Sequence, residues 1–100
     1  MVLGGVEKEI SVSANSSVDF PVEEFANRAF LARNGTTSSI NGLFYKAGSG
    51  AQLSRLAGST SGLSISDETP ASLHISRIDG VWKLTNNSIN AGRFFYHILI

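Results

Sequence analysis

Asp79-Gly80 sits between two runs of alternating apolar and polar residues, and this dipeptide constrains the chain more than any other feature. Asp-Gly favours the positive φ angles of a type I′ turn, whose twist matches two antiparallel strands. A two-residue loop also fixes the register. Ile78 must pair with Val81, Arg77 with Trp82, Ser76 with Lys83, Ile75 with Leu84 and His74 with Thr85. One face of the hairpin then carries Leu73, Ile75, Arg77, Trp82 and Leu84; the other carries His74, Ser76, Ile78, Val81, Lys83 and Thr85. The first is the core face. Arg77 across from Trp82 predicts a guanidinium over the indole, worth about 0.5–1 kcal/mol if exposed.

Period-two alternation recurs along the rest of the chain. Val6, Lys8, Ile10 and Val12 share one face of a half-buried strand, with Glu7, Glu9, Ser11 and Ser13 on the other. Asn15-Ser16 turns the chain, and Val18, Phe20 and Val22 resume the alternation, with Pro21 marking an edge or a strand end. Residues 23–33 could hold a helix on Phe25, Ala29 and Ala32, but Phe30 and Leu31 fall beside that stripe. A turn followed by a strand over 28–33 fits better. Residues 34–41 read as a polar loop, 42–47 as a strand, and Gly48-Ser49-Gly50 as a tight turn. Short strands follow at 51–56 and 63–66. The expectation is one all-β domain, an antiparallel β-sandwich of jelly-roll-like type with eight or nine short strands.

Composition narrows the function classes. One hundred residues suit a single domain, and only 16% of them are charged, so Ser, Thr, Asn and Gly must cover much of the surface. Eight basic and eight acidic residues give a formal net charge of zero. No basic stripe for nucleic acid or polybasic face for anionic lipid is present in the sequence. Cysteine is absent, which removes disulfides and thiolate zinc sites. Residues 1–5 are too short for a signal peptide, and no apolar run reaches membrane-spanning length. They read equally as a natural start or as the edge of an excised fragment.

The last segment breaks the alternation. Phe94, Tyr96, Ile98 and Ile100 point one way, and Phe95 and Leu99 the other, so both faces are apolar. Such a strand calls for burial on both sides. Either another subunit covers the second face, making Phe94, Phe95, Tyr96, Ile98, Leu99 and Ile100 an assembly interface, or the strand is central and its own chain covers it.

Catalytic chemistry finds little support. His74 and His97 lie far apart with no carboxylate at ligand spacing, so no metal or cofactor is implied. Glu23-Glu24 and Asp67-Glu68 are adjacent carboxylates, and Asp67-Glu68-Thr69-Pro70 reads as turn chemistry. There is no Gly-x-Ser-x-Gly elbow, and Gly48-Ser49-Gly50 lacks the Gly-Lys-Ser/Thr end of a phosphate loop. Three Asn-x-Ser/Thr matches begin at Asn15, Asn34 and Asn86, as chance allows in so Asn- and Ser-rich a chain. Trp82 with Tyr45 or Tyr96 could stack on a sugar ring while loop asparagines such as Asn34 and Asn41 meet its hydroxyls. The hairpin register argues the other way for Trp82, placing it in the core.

Ser17-Val18-Asp19-Phe20, residues 28–33, Asn41-Gly42-Leu43-Phe44-Tyr45 and the ending from Gly80 through Asn87 to a last apolar strand resemble the C-terminal β-sandwich domains of bacteriophage tailspike and tail-fibre proteins. The resemblance implies a homotrimer on the virion tail, made in the host cytoplasm and acting outside the cell. It also implies a trimerising and capping role with possible contact to host surface polysaccharide, and it carries no catalytic residues. A monomeric, lectin-like carbohydrate-binding module is the rival expectation.

Overall fold

Alternating residues sort themselves into two sheets whose apolar sides meet. The computed structural model describes residues 7–36, 41–48, 50 and 52–99. Its elements are β1 (Lys8–Val12), β2 (Ser16–Asp19), α1 (Val22–Phe25), β3 (Arg28–Asn34), β4 (Gly42–Ala47), β5 (Gln52–Gly58), β6 (Leu63–Ile65), β7 (Leu73–Ile78), β8 (Val81–Asn86) and β9 (Gly92–Ile98). One sheet has five strands in the order β1-β9-β3-β4-β5, and the other has four in the order β2-β8-β7-β6. The all-β sandwich expected from the pattern is the fold found. Its one departure from antiparallel pairing is β6 beside β7, which run parallel. The chain between them, residues 66–72, therefore has to travel back along the sheet before β7 can start.

The β7–β8 hairpin has the register that the sequence dictated, from Ile78↔Val81 through His74↔Thr85. Asp79 and Gly80 both take positive φ, 50° and 80°, as a type I′ turn requires. Leu73, Ile75, Trp82 and Leu84 are buried on the inner face. Arg77 is exposed, and the cation over the Trp82 ring is Lys46, 5.1 Å from its centroid. The expected Arg77–indole pairing is corrected by this: at the hairpin tip an arginine reaches water at no cost, whereas Lys46 arrives from the facing sheet.

Pro21 ends the second strand and precedes the single helical turn of α1, where the sequence suggested a plain turn. That turn drops Phe25 into the core, 4.5 Å from Phe20 and 4.5 Å from Phe30 between ring centroids. Phe30–Phe44 at 5.3 Å and Phe94–Tyr96 at 5.6 Å extend the ring cluster along the five-stranded sheet. Leu53, Leu63, Ile65, Leu73, Ile75 and Leu84 complete the interior with aliphatic volume. Rings at these spacings add to burial rather than merely filling space.

Candidate assembly surface

β9 lies between β1 and β3, so the two-faced strand is central. Its inner side chains, Phe94 and Tyr96, are buried in the core of a single chain, and Ile98 packs against that core partly buried. Three of the six residues expected at an interface are therefore covered by the chain itself, because the four-stranded sheet and α1 close over them. Phe95 and Leu99 point outward, and Ile100 lies outside the described residues. Tyr96 also donates to Glu24 Oε2 at 2.6 Å. Burial and that carboxylate push its phenol pKa well above the usual value.

The outer face of the five-stranded sheet holds more apolar surface than β9 alone supplies. Register places His97, Leu31, Leu43 and Ala57 in one row across β9, β3, β4 and β5. Ala29, Tyr45 and Ser54 form the next row. Leu99 continues past β9 and donates its amide to the Ala29 carbonyl. Tyr45, Leu99 and Leu56 are 37%, 44% and 58% exposed, and Leu31 and Leu43 are half-buried. A register shift between Leu43 and Phe44 leaves Leu56 as the extra residue of β5.

Beyond this strip the face becomes charged yet neutral in sum. Arg33 grips Glu7 through two contacts of 3.2 Å, and Arg93 lies 3.9 Å from Glu9. Both guanidinium groups also sit over Phe95, at 4.3 and 5.4 Å from its centroid. Phe95 is thus a floor for two ion pairs rather than a free aromatic knob.

The four residues expected to meet glycan do not converge. Trp82 is buried, with Nε1 donating to the Gly50 carbonyl at 2.7 Å. Asn34 and Asn41 are buried and hold loops together. Asn34 Nδ2 donates to the Gly62 carbonyl and Ser72 Oγ, while Asn41 accepts the Asn34 amide and donates to the Ser61 carbonyl. Only Tyr45 stands at the surface, on the outer face just described. The asparagines are corrected to structural braces because buried amides must find partners, and these find backbone groups together with the Ser72 and Thr36 hydroxyls. Of the three Asn-x-Ser/Thr asparagines, Asn15 is exposed, and Asn34 and Asn86 are buried.

Three further polar side chains are buried: Lys46, Ser64 and His74. Lys46 is fully buried, and its ammonium donates to the carbonyls of Ala47, Gly48 and Gly50 at 2.9–3.0 Å. Desolvation, with Arg77 nearby, pulls its pKa down. Ser64 and His74 meet at 2.6 Å between Oγ and Nδ1, a serine–histidine pair that spacing alone does not reveal. Both side chains are buried, and Ser64 Oγ also accepts the Ala71 amide at 2.7 Å. Among the described residues, no group of three or more His, Asp or Glu side chains could hold a metal ion, and no helix is long and apolar enough to cross a membrane.

Of the apolar strip, Leu99 was expected at an interface and Tyr45 at a glycan, while Leu31, Leu43 and Leu56 were missed, but a signal existed. Ala29-Phe30-Leu31-Ala32 and Leu43-Phe44-Tyr45 are runs of consecutive apolar residues, two-faced in the same sense as the last strand. No protein-family model matches the chain, and no curated protein or solved structure matches it.

Proposed function

We propose that this chain is a non-catalytic assembly module whose copies associate through the outer face of the five-stranded sheet. The observation that carries this reading is the contiguous strip of Leu31, Leu43, Tyr45, Leu56 and Leu99 on a sandwich whose interior is already filled. Five strands about 4.8 Å apart and five to seven residues long present roughly 500 Å² per copy, so a pair reaches the ~1,000 Å² of a specific interface. A zero net charge and internally paired arginines let like copies approach without repulsion. The sequence resemblance to tailspike and tail-fibre C-terminal domains supplies a setting: a trimerising cap on a virion tail, outside the cell when acting.

A dilution series read by amide chemical shifts tests this. Amides of Leu31, Leu43, Tyr45 and Leu99 should move with concentration, while those of Ser76 and Lys83 on the opposite sheet stay fixed. Shifts confined to the opposite sheet contradict the reading. A concentration-independent monomer whose Tyr45 region responds to added saccharide favours the lectin-like alternative instead.

A further inference from the structure

Asn34-Gly35 and Asn41-Gly42 are the Asn-Gly dipeptides of the chain, and the fold calls for both residues at each place. In such a pair the glycine nitrogen can close a succinimide ring on the asparagine Cγ, because no Cβ shields that nitrogen and the backbone bends freely. A Cβ at position 35 would stand 2.9 Å from a Phe95 ring carbon and 3.0 Å from the Arg93 carbonyl oxygen. At position 42 it would stand 2.7 Å from Arg55 Nη1 and 3.0 Å from the Ala57 carbonyl oxygen. Glycine is the residue that fits both approaches without displacing a neighbour. The asparagines are equally fixed, since each side chain both donates and accepts in the brace that joins them to Ser61 and Gly62.

The closed brace holds that ring chemistry off. The Gly35 amide donates to the Arg93 carbonyl at 2.7 Å, so its nitrogen is engaged at the end of the β3–β9 ladder. Asn34 is 3% exposed. Its Nδ2 donates to the Gly62 carbonyl at 2.9 Å and to Ser72 Oγ at 3.0 Å, and its Oδ1 accepts the Thr36 amide and hydroxyl at 3.0 Å each. Ring closure has to swing Cγ away from these bonds and onto the Gly35 nitrogen. Asn41 is clamped in the same cluster. Its Oδ1 accepts the Asn34 amide at 2.6 Å, and its Nδ2 donates to the Ser61 carbonyl at 2.6 Å. That Asn34–Asn41 bond couples the opening of one site to the opening of the other.

We infer that Asn34 and Asn41 are self-modification sites gated by this brace, deamidating when it opens and so preventing its return. In the open state the Gly35 nitrogen gives up its proton to solvent and attacks Asn34 Cγ. The new N–Cγ bond closes the succinimide as the Cγ–Nδ2 bond breaks and ammonia leaves. Water then adds to either ring carbonyl and cleaves its bond to nitrogen, leaving aspartate or isoaspartate. Asn41 and Gly42 follow the same course. Either product carries a carboxylate where Nδ2 donated, so the Gly62 and Ser61 carbonyls lose their donors and closing has to bury a charge. Isoaspartate at 34 also lengthens the main chain beside Phe95, where Gly35 already lacks clearance. The inference does not depend on association through the outer face.

Peptide mapping by mass spectrometry tests this, on chain incubated in mildly alkaline buffer either folded or in guanidinium chloride. In denaturant both sites should convert at comparable rates. In the folded chain both should be at least about tenfold slower, because even a modest opening free energy leaves roughly one chain in ten or fewer exposed. Ser72→Ala removes an exposed hydroxyl that accepts from Asn34. It should speed conversion of Asn34 in the folded chain roughly two- to tenfold and leave the rate in denaturant unchanged. Asn34→Asp should unfold at a lower urea concentration than wild type. Equal rates in folded and denatured chain overturn the inference. So does a folded-state rate at Asn34 that Ser72→Ala leaves unchanged, or a wild-type urea midpoint in Asn34→Asp. If Asn34→Asp does not fold, the two rate comparisons decide alone.

Discussion

Lys46 is the residue whose environment is least ordinary. Its ammonium is out of water and held by three carbonyls of the β4–β5 turn, one of which also accepts from Trp82. A buried charge survives only when its donors are used, and here they are. Lys46→Ala should cost about 2–4 kcal/mol in urea denaturation, since it strands the carbonyls and removes the stem beside Trp82. Tyr96 offers a second test at this scale. Its folded-state pKa lies above the unfolded value, so its contribution is complete below about pH 10 and is lost as pH rises beyond that. Tyr96→Phe should lose about 1–2 kcal/mol at pH 7 and show a shallower decline above pH 10 than wild type, measured by thermal melts across pH. Neither role could be read from the chain. Lys46 alternates correctly as an inward position, but nothing in the sequence says that a turn two residues later will supply its partners.

Elements were legible wherever a local rule fixes them. The two-residue turn determined every pair of the β7–β8 hairpin, and the 42–47 strand has the bounds its alternation suggested. Long-range pairing was not legible: no local pattern places β9 between β1 and β3 or makes β6 run parallel to β7. The position of β9 decided whether its inner face needed a partner. Two glycines test the element account by contrast. Gly80 has a φ of 80° and open space around a notional Cβ, so Gly80→Ala carries only left-handed strain, about 1–2 kcal/mol. Gly58 has a φ of 109°, and a Cβ there would strike the Asn41 carbonyl oxygen and the Gly42 Cα of β4. Gly58→Ala should therefore cost several kcal/mol more than Gly80→Ala in chemical denaturation, because the β4–β5 pairing itself must shift.

At the scale of the whole molecule, the sandwich fills its own interior and leaves a greasy outer face on one side. Leu43→Asp with Leu99→Asp should leave the monomer's melting temperature within a few degrees, since both side chains point away from the core, yet abolish association. Each large side chain withdrawn from a buried interface removes about 1.5–3 kcal/mol per copy. Sedimentation equilibrium of the wild-type chain at about 0.1 mM is the most direct measurement, because a Kd near ~1 µM would then leave most chains associated. The account predicts a mass that is a multiple of the 10.6 kDa chain and that falls to one chain in the double variant. A wild-type mass of 10.6 kDa at that concentration contradicts it.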